Sequence, residues 1–360
     1  MVDRAPATPA TPTDGQRAVE ICGYGPVAVD TDDVGALRQV RALTKADASR
    51  WLAALLDSDD LRAREAGLVL KARGMGADSI VLQPVADRAR DEAVELAAGS
   101  DDPAVYALAL SLCGPAADAD GGCGRLSLRR WAELDPRNAV PWLLLAGRAR
   151  ARHDVVAEAD AFSHAAAART VDAYGGSLFD FAAAELPPDT TPLQRAYLTN
   201  EVVGIGMATA FGPYSSAATH HCSSEAVQDE TTRAQCASLA ELLVSAGSTL
   251  LDLSIAKTIG ERVGWPVARV QGLERQQQAL MQAVVEEGPA DEKSMWTCRS
   301  VNQLNAYFKS RERLGELGAA REALTRSGKT VEEMARDYDE HLKAIRREAI
   351  QHEARRGAAD

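Results

Sequence analysis

The densest group of potential metal-binding side chains lies beyond the middle of the chain. It comprises His220, His221, Cys222, Glu225 and Cys236. Imidazole, thiolate and carboxylate groups are the usual zinc ligands, and Glu225 would be the candidate base of a catalytic site. Zinc-binding helices place two ligands three or four residues apart on one face, however, whereas adjacent histidines point apart. A polar loop before a helix explains the group better, so we assign no metal and no catalytic residue.

Disulfide formation is the second kind of chemistry that the sequence offers. The six cysteines, none of them in a CxxC pair, are Cys22, Cys113, Cys123, Cys222, Cys236 and Cys298. Cys113 ends a predicted helix and Cys123 stands just before the next one. A helical hairpin would bring their Cα atoms to the separation that a disulfide requires. We therefore predict a Cys113–Cys123 bridge.

The remaining cysteines also bear on the compartment. We also predict a Cys222–Cys236 bridge. Cys222 precedes a helix that is expected to contain Cys236, so this bridge requires the loop to fold back. Cys22 and Cys298 form a third, long-range bridge or stay free. Disulfides favour a periplasmic or secreted protein over a cytoplasmic one. Against this, residues 1–15 contain no apolar stretch that would act as a secretory signal, and buried thiols are common in cytoplasmic helical proteins. Either the protein stays in the cytoplasm or a signal or anchor has been removed.

Two other patterns match ligand-binding loops only in part. Residues 118–122 alternate carboxylates and end in glycine, as a calcium loop does, but the closing glutamate is missing, which favours an acidic turn. Gly204, Gly206 and Gly212 are not preceded by a strand, so we expect close helix packing there instead of dinucleotide binding. The sequence contains no GxxxxGK[ST], GxSxG or HExxH motif.

Three tryptophans could form a ligand-stacking set. Trp51, Trp131 and Trp142 stand at helical spacing beside leucine and alanine. Aromatic side chains in such surroundings dominate buried area. We predict that each of them is a core residue.

Helices must position most of these side chains. Strand patterns occur only at Val27–Val29 and at Ile80–Val85, where Pro84 interrupts the second. Elsewhere apolar residues recur at steps of three and four, which predicts about ten to twelve helices. One of them begins at Asp102-Pro103, an N-cap followed by proline. Because the links are short, the sequence predicts an all-α fold of stacked antiparallel αα-hairpins.

The proline-rich segment Glu185–Pro192 is the predicted boundary between two helical regions. The predicted regions are a disordered Ala/Pro/Thr tail at 1–18, an N-terminal helical-repeat-like region at 19–186, a C-terminal helical region at 193–328 and a long amphipathic helix at 329–356.

The C-terminal amphipathic helix has an N-cap at Thr330 and acidic residues in its first turn. Its apolar stripe comprises Val331, Met334, Tyr338, Leu342, Ile345 and Ala349. Such a stripe must be buried. It docks on the chain's own helices, or it mediates self-association through a short coiled coil.

One stretch carries a family resemblance. Arg130–Ala146 contains Leu-Asp-Pro at a helix end, followed by a helix with Trp142 and the large-small pair Leu145-Ala146. It resembles the junction of two tetratricopeptide repeats, with Phe162 and Ala165 where the next helix would pack back. The resemblance covers about residues 124–168, with no convincing second copy. Tetratricopeptide proteins usually bind peptides or proteins on a concave face, so the resemblance implies a binding role.

Composition excludes several function classes. The chain has 360 residues, 46% hydrophobic and 26% charged, with a net charge of −12. This acidity argues against binding to duplex nucleic acid or to an anionic membrane surface. The closest approach to a membrane span, Val202–Phe211, is too short.

The sequence therefore predicts a non-enzymatic helical protein-interaction or scaffold protein with a protein or peptide partner and no cofactor. A structural role in a bacterial cell-envelope assembly is a further possibility that disulfides would favour. The alternative is a helical enzyme, metal-dependent or not, with a site near His220, His221 and Glu225.

Overall fold

A computed structural model describes residues 16–30, 33–75, 83–114, 122–210, 214–287 and 296–357. The structure is 77% helical, which confirms the predicted all-α fold. Its described part has 15 helices, more than the ten to twelve that the sequence predicts. Successive helices pack side by side as antiparallel pairs, for example α6 with α7 and α11 with α12. Predicted features at residues 1–15, at 118–121 and at Gly212 lie outside the described residues.

The elements have the following bounds. The strands are β1 (Gln16–Ile21) and β2 (Gly25–Asp30). The first helices are α1 (Asp33–Leu56), α2 (Leu61–Ala72), α3 (Gln83–Ala98), α4 (Pro103–Ser111), α5 (Leu128–Leu134), α6 (Ala139–Ala151), α7 (Val155–Ala166) and α8 (Gly175–Ala183). The later ones are α9 (Pro192–Ala210), α10 (Tyr214–His221), α11 (Glu230–Ala246), α12 (Leu250–Arg262), α13 (Val267–Glu287), α14 (Cys298–Ser327) and α15 (Val331–Gly357).

Side-chain caps start several of these helices. The Asp102 carboxylate accepts hydrogen bonds from the backbone N–H groups of Ala104 and Val105, with Pro103 in the first turn, as the sequence predicts. Thr249 and Asp252 form a reciprocal capping box at the start of α12. These caps satisfy N–H groups that have no partner within the helix.

A β-hairpin at the N-terminal end of the described chain is the one element type that the sequence reasoning missed. Strands β1 and β2 pair antiparallel, and Gly23 and Gly25 both adopt positive φ angles in the connection. The predicted disordered tail at 1–18 overlaps the first three residues of β1. Within the hairpin, only Val27–Val29 shows a strand pattern in the sequence. Of the second pattern, residues 83–85 lie in α3.

Packing against distant residues holds the hairpin in place. Ile21 is fully buried in a small cluster with Leu193, Trp296 and Val301. The backbone N–H of Cys22 also donates to the carbonyl of Trp296 at 2.9 Å. The hairpin is therefore part of the folded body and contacts the beginnings of α9 and α14.

The proline-rich segment does not separate two hydrophobic cores. Leu178 precedes it, Leu198 follows it, and both belong to one buried cluster. A second, larger cluster likewise joins Phe162 of α7 to Leu239 of α11. The helices on the two sides of residues 185–192 therefore share their cores.

The C-terminal helix α15 docks on the chain itself over its first half. Met334 and Ala335 are fully buried against Ala279 and Ala283 of α13. Arg275 of α13 donates to Asp339 at 3.0 Å. Further along, the side chains of Ile345 and Ile350 are 48% and 66% exposed. Self-association through this exposed part remains a proposal.

Removing α15 should destabilise the fold. A chain ending at Gly328 loses the contacts of Met334 and Ala335 with α13, and burying one methionine is worth about 1.5–3 kcal/mol. We expect thermal unfolding followed by circular dichroism to show a clear drop in Tm. A chain ending at Lys343 keeps the docked half and serves as the control. An unchanged Tm for the chain ending at Gly328 would contradict docking of α15.

Candidate functional site

One buried side-chain amide, in the turn between α5 and α6, holds that turn to the segment that follows α7. Asn138 is fully buried. Its Nδ2 donates to the Asp172 carbonyl at 2.7 Å, and its Oδ1 accepts from the backbone N–H groups of Val140 at 3.1 Å and Asp172 at 3.0 Å. The same side chain thus caps α6 and holds the segment that follows α7.

That segment is fixed further by two acidic side chains. The Asp172 carboxylate accepts from the backbone N–H of Tyr174 at 2.7 Å, and the Tyr174 hydroxyl donates to Asp135 at 2.7 Å. Tyr174 has a φ of +58°, a left-handed conformation that is uncommon outside glycine. Ala173, between them, lies between two cavities and lines both.

The larger cavity, which we call the Trp131 cavity, has a volume of about 780 Å³. Its walls come from α4, α5, α6 and α10. Its apolar lining includes Ala107, Leu110, Leu128, Trp131, Val140 and Leu144. Ligand pockets for small molecules commonly measure about 300–1,000 Å³ and are predominantly apolar. The Trp131 cavity matches both properties.

The two ends of the Trp131 cavity differ in polarity. The residues with buried side chains are apolar, apart from the hydroxyl of Tyr214 and the indole N–H of Trp131. The basic lining residues are Arg148, Arg150, His153 and His220, of which Arg148 is partly buried and the other three are exposed. Among the described residues, no aspartate or glutamate lines this cavity. It therefore has an apolar interior and a basic mouth.

A glycine permits the close approach of two cavity walls. A Cβ atom at Gly147 of α6 would lie 3.2 Å from the Cβ of Ala217 on α10, tighter than ordinary van der Waals contact. The sequence predicts close packing at Gly204 and Gly206. It is found at Gly206, whereas Gly204 is exposed with open space beside it. At Gly206 a Cβ would overlap the carbonyl oxygen of Gly175, so α9 can approach the start of α8 only with glycine.

The tryptophans occupy three different environments. Trp51 is fully buried, as predicted, and donates to the Ala182 carbonyl at 2.9 Å. Trp142 is only partly buried and stacks on His164 with 4.2 Å between the ring centroids. Trp131 is buried, as predicted, but it also lines the cavity, and its Nε1–H has no hydrogen-bond partner. The helical spacing of apolar residues predicts that Trp131 lies on a buried face, but it does not show that a cavity lies beside that face.

A smaller, polar cavity of about 140 Å³ lies on the other side of Ala173, and we call it the Arg311 cavity. Arg311 and Glu316 form an ion pair of 3.2 Å in its wall, with both side chains about 10% exposed. Burial raises the pKa of Asp172 to about 6 and that of Asp180 to about 6.

Tyr214 lies between the two cavities. Its side chain lines both of them, and its hydroxyl donates to the Asp252 carboxylate at 2.9 Å. Burial raises the pKa of both groups, which keeps the tyrosine protonated as the donor. Tyr214 therefore serves as a fixed wall between the cavities.

The structure pairs all six cysteines. Its three disulfides, with their Cα–Cα separations, are Cys113–Cys123 at 5.7 Å, Cys222–Cys236 at 5.7 Å and Cys22–Cys298 at 4.6 Å. The two short bridges agree with the sequence prediction, and the third resolves the open alternative in favour of a long-range bridge. Three disulfides fit an oxidising environment.

Both short disulfides lie beside the Trp131 cavity. Cys113 is adjacent to Gly114, which lines the cavity, and Cys222 follows two residues after the lining residue His220. One bridge ties the end of α4 to the segment before α5, and the other ties the end of α10 to α11. They restrain two of the cavity walls.

The structure disperses the sequence-predicted group of potential metal ligands. His221 accepts or donates a hydrogen bond with Glu158 at 3.0 Å and stacks on Phe162. Glu225 is exposed, and His220 lies at the mouth of the Trp131 cavity. In the described part of the chain, no three His, Cys, Asp or Glu side chains are placed to hold a metal ion.

The chain has no significant match among family models, curated proteins or solved structures. The tetratricopeptide resemblance therefore stays a prediction, although Phe162 and Ala165 of α7 are fully buried against α6. No helix among the described residues is long and apolar enough to cross a membrane.

Neutralising Asp172 should stabilise the protein at neutral pH. Its pKa rises from 3.8 to about 6 on folding, so the folded state holds the proton more tightly and stability falls as the pH rises through this window. Asp172→Asn keeps the acceptor for Tyr174. We expect it to raise the free energy of unfolding by on the order of 2 kcal/mol at pH 7, with the gain vanishing below about pH 4.

Denaturant unfolding between pH 3.5 and 7.5 measures this difference. Asp160→Asn, at an exposed position on α7, controls for the loss of one charge. A gain at Asp172 that is the same at both ends of the pH range would contradict the assignment.

The disulfides can be mapped directly. Digestion without reduction of protein made in an oxidising compartment should give three linked peptide pairs. Replacing Cys222 and Cys236 together by serine should lower the free energy of unfolding by about 3 kcal/mol, the value for a loop of this length. Recovery of Cys113 and Cys123 as free thiols would remove the support for an oxidising compartment.

Proposed function

We propose that this chain is a non-enzymatic binding protein, and that its partner inserts an apolar group into the Trp131 cavity. The observation that carries the proposal is the cavity itself, whose volume of about 780 Å³ and apolar interior suit a ligand. Burying apolar surface of a partner there would release about 25 cal/mol for each Å².

The geometry supports binding better than the enzymatic alternative near His220, His221 and Glu225. His221 is engaged by Glu158 and by Phe162, and Cys222 is held in a disulfide. An acid–base role would require side chains that converge on one reacting atom.

The surface beside the cavity mouth supports contact with a partner. Val155 and Val156, in the first turn of α7, are 73% and 81% exposed and follow two residues after His153. A protein or peptide partner of the kind that the sequence predicts could contact this pair, since adjacent exposed apolar side chains suit such contacts. We propose a periplasmic or secreted location, which the three disulfides support because they fit oxidising surroundings.

Binding of a neutral dye tests the proposal. Nile red fluoresces strongly only in apolar surroundings, and we expect it to bind the oxidised full chain saturably. Leu144→Trp fills part of the cavity and should weaken binding at least about tenfold, a loss near 1.4 kcal/mol. Leu61→Trp, at an exposed position that lines neither cavity, is the matched control.

Circular dichroism and thermal unfolding establish that both variants fold. No saturable binding by the parent chain, or equal binding by the parent and a folded Leu144→Trp variant, would overturn the proposal.

A further inference from the structure

The ionisable residues in the described lining of the Trp131 cavity are basic, whereas the chain as a whole is acidic. The protein has 52 acidic residues and a net charge of −12. The described lining of this cavity contains no aspartate or glutamate. Its four basic residues are Arg148, Arg150, His153 and His220. Basic side chains in the described lining favour a ligand that carries a negative charge.

The basic residues are confined to one end. Arg150, His153 and His220 are exposed at the mouth, whereas the lining residues with buried side chains are apolar apart from the Tyr214 hydroxyl and the Trp131 indole N–H. A ligand that satisfies both ends must carry a negative group at one end and an apolar body behind it. A ligand charged along its whole length would place charge in the apolar interior, at a large desolvation cost.

Among the described residues, the ion pair of Arg150 at the mouth is long. Glu158 lies 3.8 Å from Arg150 but 3.0 Å from His221, with which it forms its hydrogen bond. Nearly half of the Arg150 side chain is exposed. A carboxylate that reaches the guanidinium could form two parallel hydrogen bonds with it.

A histidine with unusual backbone geometry also stands at the mouth. His153 has a φ of +58° just after the end of α6, and its N–H donates to the Arg150 carbonyl at 2.9 Å. Glycine is the usual residue at such a position, because it adopts positive φ without a steric cost. Here the chain carries an imidazole instead, which adds a donor at the mouth.

The buried lining favours an alkyl chain over a peptide. Each residue of a bound peptide brings a backbone N–H and a C=O that require partners. The buried part of the cavity offers few, because the Tyr214 hydroxyl is already bonded to Asp252 and the Trp131 Nε1–H is a single donor. An alkyl chain makes no such demand.

We propose that the Trp131 cavity binds a fatty carboxylate, with its alkyl chain along the apolar wall and its carboxylate among the basic side chains at the mouth. This inference rests on the proposed binding function and names the chemical class of its ligand. Arg150 supplies an exposed guanidinium at the mouth, whose planar group matches a carboxylate, and Arg148 places a second guanidinium in the lining.

Displacement of Nile red from the oxidised full chain by decanoate and by 1-decanol tests the inference. The two competitors share their alkyl chain and differ in charge. We expect decanoate to compete at least about tenfold better than decanol, the equivalent of 1.4 kcal/mol for the charged contact. Replacing Arg148 and Arg150 together by glutamine should abolish this preference, measured as the ratio of the two competitor affinities within the same variant, and circular dichroism establishes that the variant folds.

The matched control replaces Arg346 and Arg347, on the exposed part of α15, by glutamine. It changes the net charge by the same amount and should keep the preference for decanoate. Equal competition by decanoate and decanol, while Nile red still binds, would overturn the fatty carboxylate and leave the proposed function standing. Absence of saturable Nile red binding to the parent chain would instead contradict the proposed function.

Two further outcomes are decisive. An unchanged preference for decanoate in the Arg148→Gln, Arg150→Gln variant would overturn the placement of the carboxylate at the mouth. Stronger displacement by a short acidic peptide with apolar side chains than by decanoate would overturn the inference in favour of a peptide ligand.

Discussion

The side-chain amide of Asn138 is the contact on which both cavities depend. It caps α6 and bonds both backbone groups of Asp172 from a fully buried position, so its hydrogen-bonding capacity is almost entirely used. Without it, three buried backbone groups would lose their partner, and each such loss costs about 1–3 kcal/mol. The segment that it holds carries Ala173, which lines both cavities. A single polar group thus sets the position of the wall that separates an apolar space from a polar one.

The walls of the Trp131 cavity combine packing with covalent restraint. A void of this size removes dispersion contacts from its lining, so restraints on its walls from other contacts help to keep it open. The bridges Cys113–Cys123 and Cys222–Cys236 hold the ends of α4 and α10, two of those walls. The oxidation state and the cavity are therefore linked through the same two helices.

Features that depend on residues close together in the sequence were predicted correctly. Features that depend on residues far apart in the chain were missed. The cap at Asp102, the bridge Cys113–Cys123 and the helix beginning after Thr330 each depend on residues close in sequence, and the periodicity or spacing shows them. The β-hairpin was missed because Ile21 is buried by residues of α9 and α14 that lie far along the chain. The Trp131 cavity was missed for the same reason, since its lining runs from Ala107 to His220. A pattern of apolar residues predicts burial but does not tell a filled interior from an open one.

The bridge between Cys22 and Cys298 makes the chain a covalent ring over most of its length, because 276 positions separate the two residues. A peptide bond cut anywhere within that ring leaves two pieces that are still joined by sulfur. Diffusion cannot carry the pieces apart, so refolding of a nicked molecule stays a unimolecular event. In surroundings that contain proteases, a single cleavage would then convert the protein into a two-chain form of the same mass, apart from one added water, instead of releasing fragments.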